Sequence, residues 1–450
     1  MSLKIVDNKE LLKGAKSVLS TNNVGGLIIP AQGLYPHTVL WDSCFIAVGL
    51  SHYDLKLAQA QVEHFFSAQW QDGMVPNIIF NKRFRYFWDR WIWRSWISVN
   101  SQPGIPTSGI TQPPMLTEAV VRIGKQLTPA ERMLWYKSVI ENLVAYHSWL
   151  YEYRDLNHNG LITLIHPWET GLDNTPPWLA SLRHQHNPFL LNLIGWLKID
   201  KVADHLRIDA HYVDPKQRST TLEALRLYDA LRLIRRKRYD NAKILKHPTF
   251  AIEDIAYNSI FIRANALLCE IADAIDYQLP QNLLSNMHLS RQNLNQLWDD
   301  ERKSYFSRSH KTKNLLKEDS IASLLPLYSG AISKAQADLI VKAMQDKTLY
   351  QTKFPLPSVP INSSWFKPMR YWQGPTWINI NWLLIDGLER YGYKQLASEL
   401  SEQTIRLVKN SGFNEYFNPI DGSAAGVHDF SWTAALTIDL LLNKTDQKNN

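Results

Sequence analysis

Cysteines and long apolar runs are both scarce in this sequence. The 450 residues include two cysteines, Cys44 and Cys269, which are too few for the disulfide framework of a small secreted domain. No apolar run approaches the roughly 20 residues that a membrane-spanning helix needs, and residues 1–7 contain no apolar core of a signal peptide. The sequence therefore predicts a cytoplasmic protein without a membrane partner.

Alternation of apolar and polar residues, which is typical of strands, is equally scarce, and no repeat of fixed length is visible. Apolar residues instead recur at helical spacing, as in the segments 116–127, 133–144 and 260–275. About a dozen such stretches are separated by clusters of glycine and proline. Helices joined by alternating short and long loops predict an all-α toroid, with two concentric rings and the long loops gathered at one end.

The pattern favours a single domain over residues 1–443. Two long segments within it, 82–114 and 204–222, are rich in aromatic residues and lack helical periodicity. We expect these segments to be loops or small insertions that cover the mouth of the toroid. Residues 444–450 are rich in Asn, Lys and Gln, and are predicted to be a disordered tail.

The charged and aromatic residues limit the choice of partners. The net charge is +7, and the basic residues are scattered apart from one dense run, Arg232–Asp240. Such a run is typical of a solvated helix face, and we favour that interpretation over a nucleic-acid footprint. The 17 tryptophans are the unusual number. Most tryptophans belong to cores, but their rings also offer flat platforms to the axial C–H faces of sugars.

Two acidic segments lie far apart in the chain, at residues 166–176 and 414–419, and each sets a carboxylate among aromatic, proline and amide residues. In the first segment, prolines and Trp178 would exclude water from Asp173 and raise its pKa, as a general acid requires. An N-cap or turn aspartate is the structural alternative. Glu169, in the same segment, is a rival acid.

The second segment contains Glu415, between Phe413 and Tyr416. A carboxylate held by amides and hydroxyls stays ionised, which suits a general base. Two carboxyl groups whose pKa values are pushed apart, and which face each other across a sugar, are the working parts of a glycosidase. Neither acid is decisive alone, so the prediction rests on the pair.

Candidate sugar-contacting residues occur in three other segments. Trp41 would provide a platform, and Asp42 would accept hydrogen bonds from two adjacent hydroxyls, with a helix N-cap as the alternative for Asp42. Gln112 offers two donors and an acceptor, with a loop-filling amide as the equal alternative. Tyr371 and Trp372 precede a helix that starts at a Gly-Pro pair, so we expect them in a loop that a ligand can reach.

Taken together, these segments resemble glycoside hydrolase family 63 and its bacterial relatives that hydrolyse glucosylglycerate or mannosylglycerate. The resemblance runs in order from Tyr35 to Leu436, nearly the whole chain. Its most specific pieces are the sequences HPWETGLDNTP at 166–176, YWQGPTWININW at 371–382, and NEYFNP at 414–419 with DFSWTAA at 429–435.

The resemblance implies an (alpha/alpha)6 barrel, which is a toroid of six helical hairpins, and an inverting mechanism. It matches Asp173 to the family's general acid and Glu415 to its general base. Tyr371 and Arg218 fall near the positions at which those relatives hold the aglycone carboxylate. The positions that line the family's sugar pocket are matched by Tyr35, Trp41, Asp42, Gln112, Trp168 and Trp372.

The sequence departs from the family pattern at three positions. Val39 replaces a second tryptophan two places before Trp41. Gln373 replaces an arginine, and Ala224 replaces the tyrosine expected six places after Arg218. Both catalytic carboxylates are kept, so the changes bear on the groups that hold the substrate, and in particular on glycerate specificity.

The sequence thus predicts an inverting, exo-acting α-glycosidase that hydrolyses a small α-glucoside or α-mannoside, either a glycerate conjugate or a short oligosaccharide. This chemistry requires neither a metal nor another cofactor. We expect a small carbohydrate as the partner and no nucleic acid. The sequence leaves open whether the protein forms a homo-oligomer. An inverting disaccharide phosphorylase and a catalytically inactive carbohydrate-binding homologue are the alternatives.

Overall fold

Six helices close into a ring in the described part of the chain, which is residues 7–179 and 209–449 of a computed structural model. Each helix packs against the next, and the last packs against the first. These inner helices are α2 (Leu40–Leu50), α5 (Leu116–Gln126), α9 (Ile255–Ala274), α11 (Pro326–Ser329), α13 (Ile378–Arg390) and α15 (Ser431–Asn449).

Six further helices among the described residues pack outside this ring. They are α1 (Asn8–Thr21), α3 (Leu55–Ser67), α6 (Pro129–Arg154), α10 (Gln281–Asn293), α12 (Lys334–Met344) and α14 (Lys394–Ser411). Inner and outer helices alternate along the chain, so each pair forms one hairpin of the double ring. The prediction of an all-α, (α/α)6 barrel is confirmed.

The two rings differ in how apolar their helices are. All 11 residues of α2 are buried, because neighbouring helices cover it on every side. The outer helix α14 is amphipathic, since it buries Leu400 and Leu407 but exposes Glu402 and Arg406. A helix that is apolar on nearly every face, as α2 is after its first turn, lies inside, whereas a helix with one apolar face can cover it. Even so, no helix within the described ranges is both long and apolar enough to cross a bilayer.

Short antiparallel strands lie between the helices. The longest hairpin in the described ranges joins β8 (Asn414–Phe417) to β9 (Ala424–His428), and its register shifts between Asn414 and Tyr416, so Glu415 lies at a bulge. The other strands are β1 (Thr38–Val39) with β2 (Ile78–Ile79), β3 (Thr163–Leu164) with β4 (Ile252–Glu253) and β7 (Arg308–Ser309), and β5 (Trp298–Asp299) with β6 (Ser304–Tyr305).

The described residues of the two aromatic-rich segments contribute to none of the twelve helices of the double ring. Segment 82–114 contains the short helix α4 (Phe87–Trp93), and helices α7 (Thr221–Arg236) and α8 (Asn241–Lys246) follow segment 204–222. Residues 204–208 of the second segment lie outside the described residues. At the end of the chain, α15 continues to Asn449, through most of the stretch for which the sequence predicts a disordered tail.

The ring closes where α2 meets α15, and Gly49 permits the close approach. A Cβ atom at position 49 would lie 2.5 Å from both the Cα and the carbonyl oxygen of Ala435. Backbone atoms cannot turn aside as the end of a flexible side chain can. Only glycine therefore fits at this contact between the first and the last inner helix.

We expect the substitution Gly49→Ala to destabilise the protein by roughly 1–3 kcal/mol, because the added methyl group overpacks this contact. In an unconstrained helix the same change would stabilise by about 0.5–1 kcal/mol, so the sign is informative. Gly14→Ala, on α1, is the matched control, since its Cβ would meet the ring of Phe413 at 3.2 Å. Denaturant unfolding measures the free energy of unfolding of both variants. A Gly49→Ala protein as stable as the wild type would contradict the close packing.

Candidate active site

A cavity of about 520 Å³ opens at the end of the ring where the inner helices α2, α5, α13 and α15 begin. Its volume is typical of a small-molecule site. Arg218 is not part of its wall, but contacts three wall residues, Glu415, Tyr35 and Tyr371. The other nine residues selected from the sequence line the wall together: Tyr35, Trp41, Asp42, Gln112, Trp168, Asp173, Tyr371, Trp372 and Glu415.

Asp173 lies in the turn that follows the short 3-10 helix Pro167–Thr170. The Tyr371 hydroxyl donates a hydrogen bond to Asp173 Oδ2 at 3.0 Å. Burial raises the pKa of Asp173 to about 6, although the Tyr371 hydrogen bond and the Arg218 charge oppose this rise. Asp173 therefore keeps its proton at mildly acidic pH, as a proton donor must.

Glu169, the rival acid in the same segment, has a structural role. Its carboxylate accepts hydrogen bonds from the backbone N–H groups of Ile165 at 2.7 Å and Thr111 at 3.4 Å. Arg154 Nη2 lies 3.4 Å from Glu169 Oε1, and both side chains are buried. Asp173 is a wall residue of the cavity and Glu169 is not, so Glu169 contacts the loops around it and Asp173 faces the cavity.

The bulge in the β8–β9 hairpin directs Glu415 into the same cavity, where the residue is 2% exposed. Tyr35 Oη donates to Glu415 Oε1 at 2.8 Å, and the Val427 N–H donates to Oε2 at 3.1 Å. Arg218 Nη1 lies 3.1 Å from Oε1 and 3.3 Å from Oε2. Donors thus approach both oxygens, and they fix the orientation of the carboxylate.

The resemblance associates Arg218 with an aglycone carboxylate, but in the structure its cation pairs with Glu415. Arg218 Nη2 also donates to Tyr35 Oη at 2.7 Å, and the guanidinium carbon lies 4.3 Å from the centre of the Tyr371 ring. On its other side, Arg218 Nε is 3.8 Å from Asp209 Oδ2. The cation is therefore bound to the carboxylate that the sequence selects as the base.

Two glycines with positive φ allow the site to pack this tightly. Gly426 has a φ of 71°, and a Cβ atom there would lie 2.6 Å from Glu415 Oε2. Gly171 has a φ of 73°, and a Cβ atom there would lie 2.6 Å from the Trp41 ring. Both positions need glycine for the backbone conformation and for the space.

Tryptophans form much of the apolar wall. Trp372 stacks on Trp377, with ring centres 3.8 Å apart, and Trp41 lies 6.3 Å from Trp372. The backbone N–H of Trp372 donates a hydrogen bond to Asn174 Oδ1 at 2.9 Å, and this bond joins the segment of Trp372 to the turn of Asp173. The sequence assigns Trp377 to the core. It is 2% exposed, as a core residue would be, but its ring also lines the cavity.

Sequence reasoning missed Trp93 and Trp432, which also line the cavity. Trp93 packs on Trp168 with ring centres 5.9 Å apart, and Trp432 meets Trp41 edge-on at 5.6 Å. Trp93 belongs to the aromatic-rich segment 82–114, so its composition was a signal. Composition does not say which way a ring points.

Asp42 and Gln112 are buried polar residues on the wall. Asp42 lies in the first turn of α2 and does not cap it, since the N-cap is Val39. Burial raises the pKa of Asp42 well above its ordinary value, and the negative charge of Glu415 adds to the effect. The side-chain oxygen of Gln112 has no hydrogen-bond partner among the described residues. A ligand with adjacent hydroxyls would satisfy both side chains.

Of the three departures from the family pattern, Val39 is the one on the cavity wall. Gln373 is 1% exposed, and its Nε2 donates to the carbonyl oxygen of Asn174 at 3.0 Å, so it supports the turn of Asp173. Ala224 lies on α7 and is not a wall residue. The change at position 39 is therefore the one that alters the shape of the cavity.

Aromatic walls and paired carboxyl groups at the mouth of an (α/α)6 barrel are what a glycoside hydrolase uses to hold and cleave a sugar. Comparison with known proteins gives the same class. Residues 35–433 match the family described as mannosylglycerate hydrolase MGH1-like glycoside hydrolase domain. The chain belongs to this family, and the GH63-like classification expected from the motifs is confirmed.

Relatives match the chain over nearly its whole length. Mannosylglycerate hydrolase MGH2 of Selaginella moellendorffii is 33% identical over 435 residues, which cover 95% of this chain and 85% of the relative. Glucosylglycerate hydrolase of Mycolicibacterium hassiacum is 30% identical over an alignment of 451 residues, which covers 96% of this chain and 98% of the relative. The crystal structure of GH63 mannosylglycerate hydrolase from Thermus thermophilus, in complex with Tris and D-glycerate, superposes with a TM-score of 0.85 at 32% identity, covering 96% of this chain and 100% of that chain.

We expect Gly426→Ala to lower glycosidase activity by roughly 100-fold, because a Cβ atom there would displace the Glu415 carboxylate. Gly392→Ala is the matched control, since Gly392 has a φ of 83° and open space around its Cβ position. Both variants carry the strain of a left-handed alanine, roughly 1–2 kcal/mol, so their difference reports on Glu415. Initial rates and thermal unfolding measure this difference. Equal activity of the two variants would refute the steric argument.

Proposed function

We propose that this glycoside hydrolase is an inverting, exo-acting α-glycosidase that acts on a small α-mannoside or α-glucoside, with glycerate conjugates as the preferred substrates. The observation that carries the proposal is one cavity with Asp173 and Glu415 in opposite environments. Asp173 has a raised pKa, whereas donors surround Glu415. The names of the relatives supply the substrate class, since mannosylglycerate and glucosylglycerate both join a hexose to a carboxylate-bearing aglycone.

In this mechanism Asp173 is the general acid. Its proton goes to the glycosidic oxygen as the bond between that oxygen and the anomeric carbon breaks, so the aglycone leaves as a neutral hydroxyl. The carboxylate that remains accepts the hydrogen bond of Tyr371, which offsets the cost of its buried charge. Without this proton the leaving group would be an alkoxide, and cleavage would be slow.

Glu415 is the general base on the other side of the sugar. It removes a proton from a water molecule whose oxygen forms the new bond to the anomeric carbon, so an α-glycoside first yields a β-sugar. One water is consumed, and the proton gained by Glu415 returns to Asp173 through solvent before the next turnover. Room for this water requires the two carboxyl groups to lie roughly 6.5–9.5 Å apart.

The wall of the cavity supplies the sugar recognition. Trp41 and Trp372 offer ring faces to the sugar, while Asp42 and Gln112 offer polar atoms to its hydroxyls. A cavity of about 520 Å³ suits a ligand of disaccharide size and not a polymer, which supports exo action on a short substrate.

The same proposal extends to the architecture. Residues 1–443 form one catalytic domain, and the segments 82–114 and 204–222 act as caps over the cavity. Trp88 from the first segment and Tyr212 from the second line the cavity. Caps on two sides exclude bulk water and leave the reacting water as the nucleophile.

A hydrolysis screen over mannosylglycerate, glucosylglycerate, trehalose, sucrose, kojibiose and nigerose tests the proposal. We expect the glycerate conjugates to be the best substrates, and proton NMR to detect the β-anomer of the released sugar first. Asp173→Ala should lose this activity while it stays folded. Faster turnover with added phosphate would indicate a phosphorylase, release of the α-anomer would indicate retention, and binding without turnover would indicate an inactive homologue.

The pH dependence tests the role of Asp173. Since the acid must be protonated, kcat/KM should fall as the pH rises above about 6, the pKa of Asp173 in the free enzyme. Tyr371→Phe removes a hydrogen bond that lowers this pKa, so the alkaline limb should move upward by about one pH unit. A limb that stays in place or moves downward in the Tyr371→Phe variant would assign it to another group.

A further inference from the structure

Each oxygen of the Glu415 carboxylate is within hydrogen-bond distance of two donor atoms, one of which, Arg218 Nη1, is shared between the two oxygens. A carboxylate has about four acceptor sites, two on each oxygen. Tyr35 Oη and Arg218 Nη1 approach those of Oε1, at 2.8 and 3.1 Å. The Val427 N–H and Arg218 Nη1 approach those of Oε2, at 3.1 and 3.3 Å. An attacking water must compete with these donors for the carboxylate, and departure of the shared Arg218 Nη1 would open both oxygens.

Arg218 is the donor that can move. The Val427 N–H belongs to the backbone of β9, and the ring of Tyr35 packs edge-on against Phe430 with ring centres 5.7 Å apart. The Arg218 guanidinium, in contrast, ends a long side chain with several rotatable bonds. It reaches Glu415 from the end of a short 3-10 helix, Pro215–Gln217.

The backbone before Arg218 is fixed, so its charge can move without moving the segment. The carbonyl oxygen of Gln217 accepts hydrogen bonds from Tyr416 Oη at 2.7 Å and from the Tyr371 N–H at 3.1 Å. The Gln217 side-chain oxygen accepts from the Gly426 N–H at 2.9 Å. These bonds hold the root of the side chain next to the hairpin that carries Glu415.

A second anion is needed to draw the cation away. Arg218 is about 10% exposed and Glu415 about 2%, so separating them without compensation would break a buried ion pair and leave Glu415 without its cation. Water at the cavity mouth compensates a buried guanidinium poorly, whereas a carboxylate matches its fork geometry. Asp209 is already 3.8 Å from Arg218 Nε and leaves Glu415 paired, so the additional anion must come with the ligand.

We propose that Arg218 couples the charge of the aglycone to the base: an anionic aglycone takes Arg218 away from Glu415 and frees the carboxylate for the attacking water. This inference rests on the proposed function. With a neutral aglycone, Arg218 stays on Glu415 and the base stays blocked. The charge of the aglycone therefore acts on kcat, and not on KM alone. Arg218 is in this sense a positioning residue, which acts through Glu415.

An α-glycosyl fluoride isolates this step, since fluoride needs little help from the acid and leaves the aglycone site empty. We expect D-glycerate to raise the wild-type kcat for α-mannosyl or α-glucosyl fluoride by roughly tenfold or more, as general-base catalysis is worth about 10²–10⁴-fold. Glycerol, the neutral analogue, should not raise it. NMR quantification of the free sugar keeps transfer to glycerate from being counted as hydrolysis.

Variants separate release of the base from simple structural support. Arg218→Gln should hydrolyse the fluoride faster than the wild type without glycerate, lose the glycerate response, and turn over glycerate conjugates more slowly. Arg218→Lys keeps the charge and should keep part of the response. Arg370→Gln is the matched control, because Arg370 pairs with Glu223 at 3.2 Å and is not a wall residue, so its glycerate response should equal that of the wild type.

Failure of the inference and failure of the proposed function give different results. If the wild type hydrolyses the fluoride equally fast with and without glycerate, the inference is wrong, whatever the variants do. Loss of fluoride hydrolysis in a folded Arg218→Gln protein would likewise make Arg218 a permanent partner that orients Glu415. If the wild type cleaves neither the fluorides nor the glycerate conjugates, the proposed function is wrong, and the inference fails with it.

Discussion

The grouping of buried charges at the mouth of the ring is the constraint on which the rest of the site depends. Asp42, Asp173 and Glu415 share one cavity, where burial and neighbouring negative charge raise the pKa values of Asp42 and Asp173. The surroundings of the three carboxyl groups differ. Asp42 and Asp173 have raised pKa values, whereas Glu415 receives two hydroxyl or backbone donors and the cation of Arg218. Three carboxyl groups of the same chemistry thus have different surroundings within one cavity.

The fold maintains this grouping through contacts that tolerate little change. Gly49 lets the first inner helix close against the last, and Gly171 and Gly426 let ring and carboxylate atoms pack against the backbone. The hydrogen bond from the backbone N–H of Trp372 to the Asn174 side chain then joins two distant segments beside Asp173. The shape of the site therefore depends on the closure of the ring, since the cavity wall is made of the loops and first turns of the inner helices.

The departures from the family pattern differ in consequence once their surroundings are known. Gln373 lies under the wall and holds the Asn174 backbone, and Ala224 lies on a helix away from it. Val39 lines the cavity, where a smaller side chain leaves more room than a tryptophan would. Arg218, which the resemblance associates with the aglycone, contacts the base instead. In the mechanism we propose, one cation is thereby connected both to substrate recognition and to the chemical step.

The sequence by itself determined the helical architecture and most of the cavity wall, because helical periodicity is local and because aromatic and acidic motifs such as those around Asp173 and Glu415 are distinctive. It did not decide between Asp173 and Glu169, which stand four residues apart in similar composition. Nor did it assign the partner of Arg218 or the cavity-facing ring of Trp377. Only the tertiary structure shows which of these side chains line the cavity and which partners they contact, since the direction of a side chain depends on packing against residues far away in the chain.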